Sequence, residues 1–351
     1  MKQIQISKIN DMHVHLRQGP MMVSVLPHTV SQCARALVMP NTTPPIVQSS
    51  ELVEYRNAIL AQVPPNSDFE PLMTFKVVAA TTPEMVAAHK KAGATAGKLY
   101  PEGVTTNSED GVRDLKELYP TYEAMQKHDL VLCLHGEKPG AFCMDRESAF
   151  LETLGTLARD FPSLRIVLEH ATTVDAIEMV RGLPANVAAS ITLHHLRLTL
   201  DDVVGDKLSP HHFCKPIAKR PSDRDALVEA VLSGNSKFFL GSDSAPHTVQ
   251  SKECDCGAAG VYTAPVLLPA LAEFFDEHGR LDLLEAFTSS HSNAFYKLSP
   301  TTSKITLTES DWEVPREIDG VVPFRAGQRL GWKVAPKVES SGTNTQLQAA
   351  K

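Results

Sequence analysis

The stretch Ile9-Asn10-Asp11-Met12-His13-Val14-His15-Leu16-Arg17 decides how the rest of the chain is read. It is a short apolar run that ends on two histidines two positions apart. Because side chains alternate along a strand, residues i and i+2 share a face, so the two imidazoles point the same way and can converge on one metal ion. Arg17 continues that register and can reach past the histidines toward an anion. Seven further runs of the same kind follow, at 34–39, 72–78, 96–100, 130–135, 165–170, 187–192 and 237–242. Helix-like stretches alternate with them at 50–62, 82–92, 115–128, 146–161, 173–181 and 222–232, several opening on Ser, Thr or Pro. Strand alternating with helix implies parallel strands joined by crossovers, and eight of them predict a closed (β/α)8 TIM barrel. An open doubly wound sheet is disfavoured because the turn after the first strand has one glycine, not a glycine-rich phosphate loop.

The ends of these runs share a chemistry. His135 closes 130–135, His170 closes 165–170 and Asp243 follows 237–242. Any one of the 14 histidines, taken alone, reads as a surface or hydrogen-bonded core residue. Four histidines and an aspartate at carboxyl ends of separate strands stand instead where such a barrel keeps its active-site mouth. Lys98, in the run 96–100, would point into the same mouth. An ammonium beside two divalent ions is repelled, so it must lose its proton or be modified. A carbamate made from Lys98 and carbon dioxide would add an anion to a site in which Asp243 is otherwise the one negative ligand.

Composition removes other classes. The chain has 351 residues, 42% hydrophobic and 21% charged, which is ordinary for a folded protein. Its 34 Lys and Arg against 41 Asp and Glu give a net charge of -7, a sign that repels phosphate backbones. No apolar run approaches the roughly 18 residues of a membrane span, and the start lacks the apolar core of a leader, so the expected location is the cytoplasm. Six cysteines in a chain of this length form neither a disulfide framework nor a paired zinc knuckle. The expected organisation is one metal-dependent hydrolase barrel over 1–336, with two helices and a Pro-punctuated C-terminal extension after the eighth strand, and a disordered tail at 337–351.

Together His13-Val14-His15-Leu16-Arg17, Met39-Pro40-Asn41, Lys98-Leu99-Tyr100-Pro101, Thr105-Thr106-Asn107-Ser108, His135-Gly136-Glu137, Glu169-His170 and Gly241-Ser242-Asp243-Ser244-Ala245-Pro246-His247 resemble the dihydroorotases of the stand-alone, single-barrel type in the amidohydrolase superfamily. The match runs in order from about residue 11 to 333, and Phe213-Cys214-Lys215-Pro216 is most like fungal forms. The resemblance implies two zinc ions per chain. His13, His15 and Asp243 would hold one and His135 and His170 the other, with N6-carboxylated Lys98 and a hydroxide between them. It implies reversible cyclisation of N-carbamoyl-L-aspartate to L-dihydroorotate in de novo pyrimidine biosynthesis, with Asp243 as general acid and base. Arg17, Asn41 and His247 would hold the substrate carboxylate, Thr105 and Thr106 would meet it from a lid loop, and Ala259 would contact the ring through its backbone. Lys215 stands where bacterial forms carry an apolar residue, and Ala258-Ala259-Gly260 replaces a Cys-containing loop. The expected partner is a small-molecule substrate, without nucleic acid or membrane, and a homodimer is left open. A hydantoinase or dihydropyrimidinase would share the metal ligands but has no need of Arg17 aimed at an exocyclic carboxylate. A degenerate, non-catalytic barrel would be expected to have lost a ligand.

Overall fold

A computed structural model describes residues 2–104, 111–112 and 114–336. After a first strand, β1 (Gln3–Ser7), come eight strands: β2 (Ile9–Val14), β3 (Cys33–Val38), β4 (Glu70–Val77), β5 (Ala94–Leu99), β6 (Val131–His135), β7 (Ile166–Glu169), β8 (Val187–Ile191) and β9 (Phe238–Leu240). They pair in parallel in that order, β2 through β9. The last meets the first through a bridge between Val14 and Ser244, which closes the barrel at its carboxyl end. The expected (β/α)8 barrel is therefore the observed fold, and each strand lies within two residues of its expected limits.

Why these runs become barrel strands is plain from burial. In β2, β6, β7, β8 and β9 every residue is buried, the signature of parallel strands covered on both faces. Inside the barrel one apolar cluster takes Met12, Leu37, Leu72, Ala96, Val131, Val167, Ala188 and Phe239, one from each strand. It is a packed stopper beneath the mouth, plugged from the other end by Tyr296 at the close of the helix His291–Tyr296. A larger cluster fills the space between the strands and the surrounding helices, among them Ser49–Leu60, Pro83–Lys91, Arg146–Asp160, Val174–Gly182 and Pro221–Leu232.

Met12 and His13 are consecutive, yet Met12 joins the interior stopper and His13 faces the mouth. A regular strand forbids this. The pairing of β2 with β3 shifts register between Asp11 and Val14, and such an irregularity re-aims side chains.

Outside the barrel, β1 pairs antiparallel with β10 (Lys304–Glu313), which pairs with β11 (Arg329–Val334). This small sheet was not foreseen in the Pro-punctuated C-terminal stretch. Trp332 of β11 is 2% exposed, and its indole N–H donates to Asp276 at 3.3 Å, tying the sheet to the helix Leu267–Glu277. No helix among the described residues is long and apolar enough to cross a membrane. The stretch 337–351 lies outside the described residues.

Trp332→Ala should lower unfolding stability by about 3–5 kcal/mol, the usual cost of emptying a large buried aromatic site. Urea denaturation followed by far-UV circular dichroism checks this, and a midpoint equal to that of the parent protein would contradict the anchoring role.

Candidate active site

At the carboxyl ends of the barrel strands, His13, His15, Arg17, Asn41, His135, His170, Asp243 and Ala259 surround one small pocket. Lys98 lies below it, fully buried at the end of β5, with its ammonium 5.0 Å from the centre of the Tyr100 ring, itself part of the wall. His247 stands behind Arg17. Thr105 and Thr106 lie outside the described residues.

The closing seam builds the first half of the site. The Asp243 N–H donates to the His13 carbonyl at 2.8 Å, and the His15 N–H donates to the Ser244 carbonyl at 3.1 Å. Asp11 accepts from the Ser242 N–H at 2.8 Å and from its hydroxyl at 2.5 Å, which fixes the residue before Asp243. Gly241 is required by closeness, since a Cβ there would lie 2.8 Å from the Ser190 Cβ. The result sets Asp243 Oδ1 3.5 Å from His13 Nε2 and 3.1 Å from His15 Nε2. Ligating atoms of His13, His15 and Asp243 lie within 4.8 Å of one another, a separation one ion can span.

The second half joins it directly. The His170 ring centre lies 5.1 Å from that of His13 and 4.8 Å from that of His135. Two carboxylates turn these imidazoles. His13 Nδ1 is 2.9 Å from Glu169, and His135 Nε2 is 2.7 Å from Glu137. Each carboxylate takes the proton on one ring nitrogen and leaves the other, His13 Nε2 and His135 Nδ1, to face the site as an acceptor. Ser190 donates its hydroxyl to Glu169 at 2.6 Å and accepts the His170 N–H at 2.7 Å, so one hydroxyl holds both residues of the Glu169-His170 pair.

At this site three buried nitrogens have no hydrogen-bond partner among the described residues: Lys98 Nζ, His135 Nδ1 and His170 Nδ1. Each such group costs about 1–3 kcal/mol when left unpaired. Three together around a carboxylate and two more imidazoles fit a site made for cations. The titration behaviour agrees. Burial pushes the imidazoles of His135 and His170 down and takes His15 to about 4, so all three are neutral donors at physiological pH. Burial also pushes the Lys98 ammonium down. For Asp243 burial alone would raise the carboxyl, but the hydrogen bond from His15 and the fields of His13 and His15 prevail and hold it well below the usual range. A second group, His194, His195 and Cys214, also brings ligand atoms together. There His195 Nε2–H and the Cys214 thiol both point at the Pro216 carbonyl, at 3.0 and 3.2 Å, and burial raises the thiol to about 12, so these two are already committed, whereas both ring nitrogens of the buried His194 lack a hydrogen-bond partner among the described residues.

Backbone strain concentrates at the same points. His170, Asp243 and Arg17 have φ of 43°, 45° and 60°, the left-handed region that costs a non-glycine residue about 1–3 kcal/mol. The Ser190 and His13 bonds named above hold the first two, and the Tyr55 hydroxyl on the Arg17 carbonyl at 2.6 Å holds the third. At Arg17, Nε donates to the Pro246 carbonyl at 3.1 Å and Nη2 to His247 Nε2 at 2.9 Å. The guanidinium is thereby oriented on the pocket wall, with no carboxylate among the described residues in an ion pair with it, while burial and its charge push His247 down to about 3. The arrangement offers cation ligands on one side and a fixed positive fork on the other.

Sequence reasoning missed Asp11, Glu137, Glu169 and Ser190. Asp11 shares the parity of His13 and His15 and was open to discovery. Glu169 and His170 are neighbours that both enter the site, which alternation forbids and the left-handed turn at His170 allows.

Comparisons with known proteins place the chain in a family. Residues 7–306 match the model of the amidohydrolase family. A dihydroorotase of Azoarcus sp. (strain BH72) is 45% identical over 95% of this chain and all of its own length. The crystal structure of dihydroorotase from Saccharomyces cerevisiae in complex with 5-fluoroorotic acid superposes with a TM-score of 0.90 at 37% identity, covering 96% of this chain and 100% of that one. The dihydroorotase of Campylobacter jejuni gives a TM-score of 0.88 at 40% identity, over 95% of this chain and 97% of that one. The chain belongs to the amidohydrolase family, whose members are cyclic amide hydrolases and their relatives, generally metal-dependent. Within it the chain groups with the dihydroorotases.

Glu169→Gln should weaken divalent-metal affinity about 10- to 100-fold, because His13 loses the acceptor that sets its tautomer. Competition against a chelator of known affinity measures this, and an unaltered constant would remove Glu169 from any role in orienting the ligand.

Proposed function

We propose that this chain interconverts N-carbamoyl-L-aspartate and L-dihydroorotate, the dihydroorotase reaction of de novo pyrimidine biosynthesis. The observation that carries the reading is the pairing, across one pocket, of a cation-ready cluster with the Arg17–His247 fork. A cyclic amide whose ring bears a carboxylate can be held by the fork while its amide faces the cluster. A hydantoin or dihydropyrimidine without that carboxylate leaves the Arg17 charge unpaired, which disfavours the hydantoinase alternative.

His13, His15 and Asp243 would hold one zinc ion and His135 and His170 a second, with carboxylated Lys98 shared between them. Ions held there would supply Lewis acidity, lowering the pKa of water and polarising a carbonyl oxygen. The chain's own residues do the rest. Burial depresses the Lys98 ammonium, so the free amine needed to add carbon dioxide is accessible, and the carbamate brings the negative charge the site lacks. Asp243, held ionised, takes the proton of the attacking water and passes it to the departing ring nitrogen, and runs the same transfer backwards in cyclisation. Arg17 donates in bidentate fashion to the substrate carboxylate, with Asn41 and His247 beside it. The Ala259 backbone meets the ring. Thr105 and Thr106, outside the described residues, would meet the substrate through their hydroxyls.

The charge deficit gives one test. Lys98→Ala should lose turnover and at least one equivalent of metal, with short carboxylic acids restoring part of both. Elemental analysis beside a cyclisation assay reads the outcome, and full metal content with normal turnover would sink the carbamate.

Proton balance gives another. Carbamoyl-aspartate carries two carboxylates and dihydroorotate one, so ring closure consumes a proton and releases water. Between about pH 6 and 8 the equilibrium ratio of ring to open form should fall about tenfold for each pH unit of rise. A ratio independent of pH, measured by chromatography after approach from both directions, means that the substrate pair is wrong.

A further inference from the structure

Lys252 closes the four-residue helix Val249–Lys252, on the far side of the pocket wall. It is 3% exposed, and no carboxylate among the described residues lies within ion-pair distance of its ammonium. Its Nζ donates to the carbonyl of Phe213 at 2.9 Å and to that of Gly260 at 2.8 Å, and it faces the Phe213 ring at 5.9 Å. The Gly260 N–H donates to the same Phe213 carbonyl at 2.8 Å. Lys252 thus clamps two segments that both wall the pocket, one through Lys215 and the other through Ala259 and Gly260.

From that clamp the contacts run on to the carboxylate fork. The His247 imidazole bonds to the backbone of Ala259, and Arg17 donates to His247. The fit leaves no slack, since a Cβ on Gly260 would lie 2.4 Å from the Ala245 carbonyl oxygen and 2.8 Å from His247 Cδ2. The field of Lys252 also reaches His247, where it helps to push the imidazole down. An ammonium buried without a counter-ion is a liability for folding, and satisfying two carbonyls needs no full charge. Burial takes Lys252 to about 8, so it keeps its proton at neutral pH.

We propose that Lys252 is a positioning and specificity-determining residue: it fixes the Phe213 and Gly260 carbonyls so that the Ala259–His247–Arg17 wall is shaped for a carboxylate, and its unpaired charge biases the pocket toward anionic over neutral cyclic amides. The proposal deepens the dihydroorotase reading and rests on it.

The test uses the full-length, metal-loaded enzyme and the variants Lys252→Met, which removes donor and charge, and Lys252→Gln, which keeps a donor without the charge. The measurements are kcat and KM for dihydroorotate opening, the dissociation constant of orotate as a non-reacting carboxylate probe, metal content and Tm. In Lys252→Met, KM and the orotate constant should rise about tenfold as the Arg17–His247 hold on the carboxylate loosens. Its kcat should stay within threefold, with metal content retained and Tm unchanged or higher. Lys252→Gln should fall between Met and the parent in KM, and it decides the question alone if the Met variant fails to fold. KM and orotate binding within twofold of the parent overturn the proposal. So does a loss confined to kcat, or one that tracks a fall in Tm. A parent enzyme inactive on dihydroorotate sinks the functional reading itself, whereas an active parent with indifferent variants sinks only the role of Lys252.

Discussion

The structure depends on two backbone hydrogen bonds at the seam where the first and last barrel strands meet: Asp243 N–H to the His13 carbonyl and His15 N–H to the Ser244 carbonyl. They finish the barrel and, in the same stroke, bring an aspartate from the end of β9 against two histidines from the end of β2. Closure and ligand placement are one event. The strain follows from it, because Asp243 can turn its side chain toward the histidines while bonding backward to His13 only in a left-handed conformation. An ordinary barrel core beneath the seam, from Met12 round to Phe239, gives the closed ring the rigidity to hold that strain.

Around the seam the protein manages charge by burial and pairing. Neutral imidazoles come from desolvation, and their orientation comes from Glu169 and Glu137, each committed to one ring nitrogen. Glu147 does a similar task for the backbone, accepting the N–H groups of Thr172 and Thr173 at 2.8–2.9 Å just past His170 and so fixing the start of the helix Val174–Gly182. Among the described residues, Arg17 on the pocket wall and Lys252 behind it are cations with no carboxylate within ion-pair distance. A chain with a net charge of -7 thus keeps a local positive interior, suited to a small anion and shielded from polymeric ones.

Much of this was legible in the sequence, for a physical reason. Strands buried on both faces are short unbroken apolar runs, and in a barrel their carboxyl ends are the mouth, so His13, His15, His135, His170 and Asp243 could be read as a set before any coordinate. The helix Gly19–Val30 was not legible, because Pro20 and Pro27 read as breakers although Pro20 sits in its first turn. Nor was β10, where Lys304, Glu309, Asp311 and Glu313 among its ten residues give one half-exposed strand the look of a polar tail. Glu169 escaped because it acts through His13, distant in sequence, and sits beside His170 at a position that strict alternation assigns to the other face; Glu137 shares the parity of His135 and, like Asp11, was open to discovery. Thr105 and Thr106 rest on resemblance alone.

The small sheet of β1, β10 and β11 has a consequence in time. Each βα unit of the barrel joins segments close in sequence, whereas Gln3 pairs with Thr308 across nearly the whole described chain. Contacts of such long range have the largest loop-closure cost and form late. Interactions that form after the folding barrier leave the folding rate almost untouched and slow the escape from the native state. The sheet therefore works as a latch on a door already shut: it adds little to how fast the barrel assembles and much to how long it stays assembled.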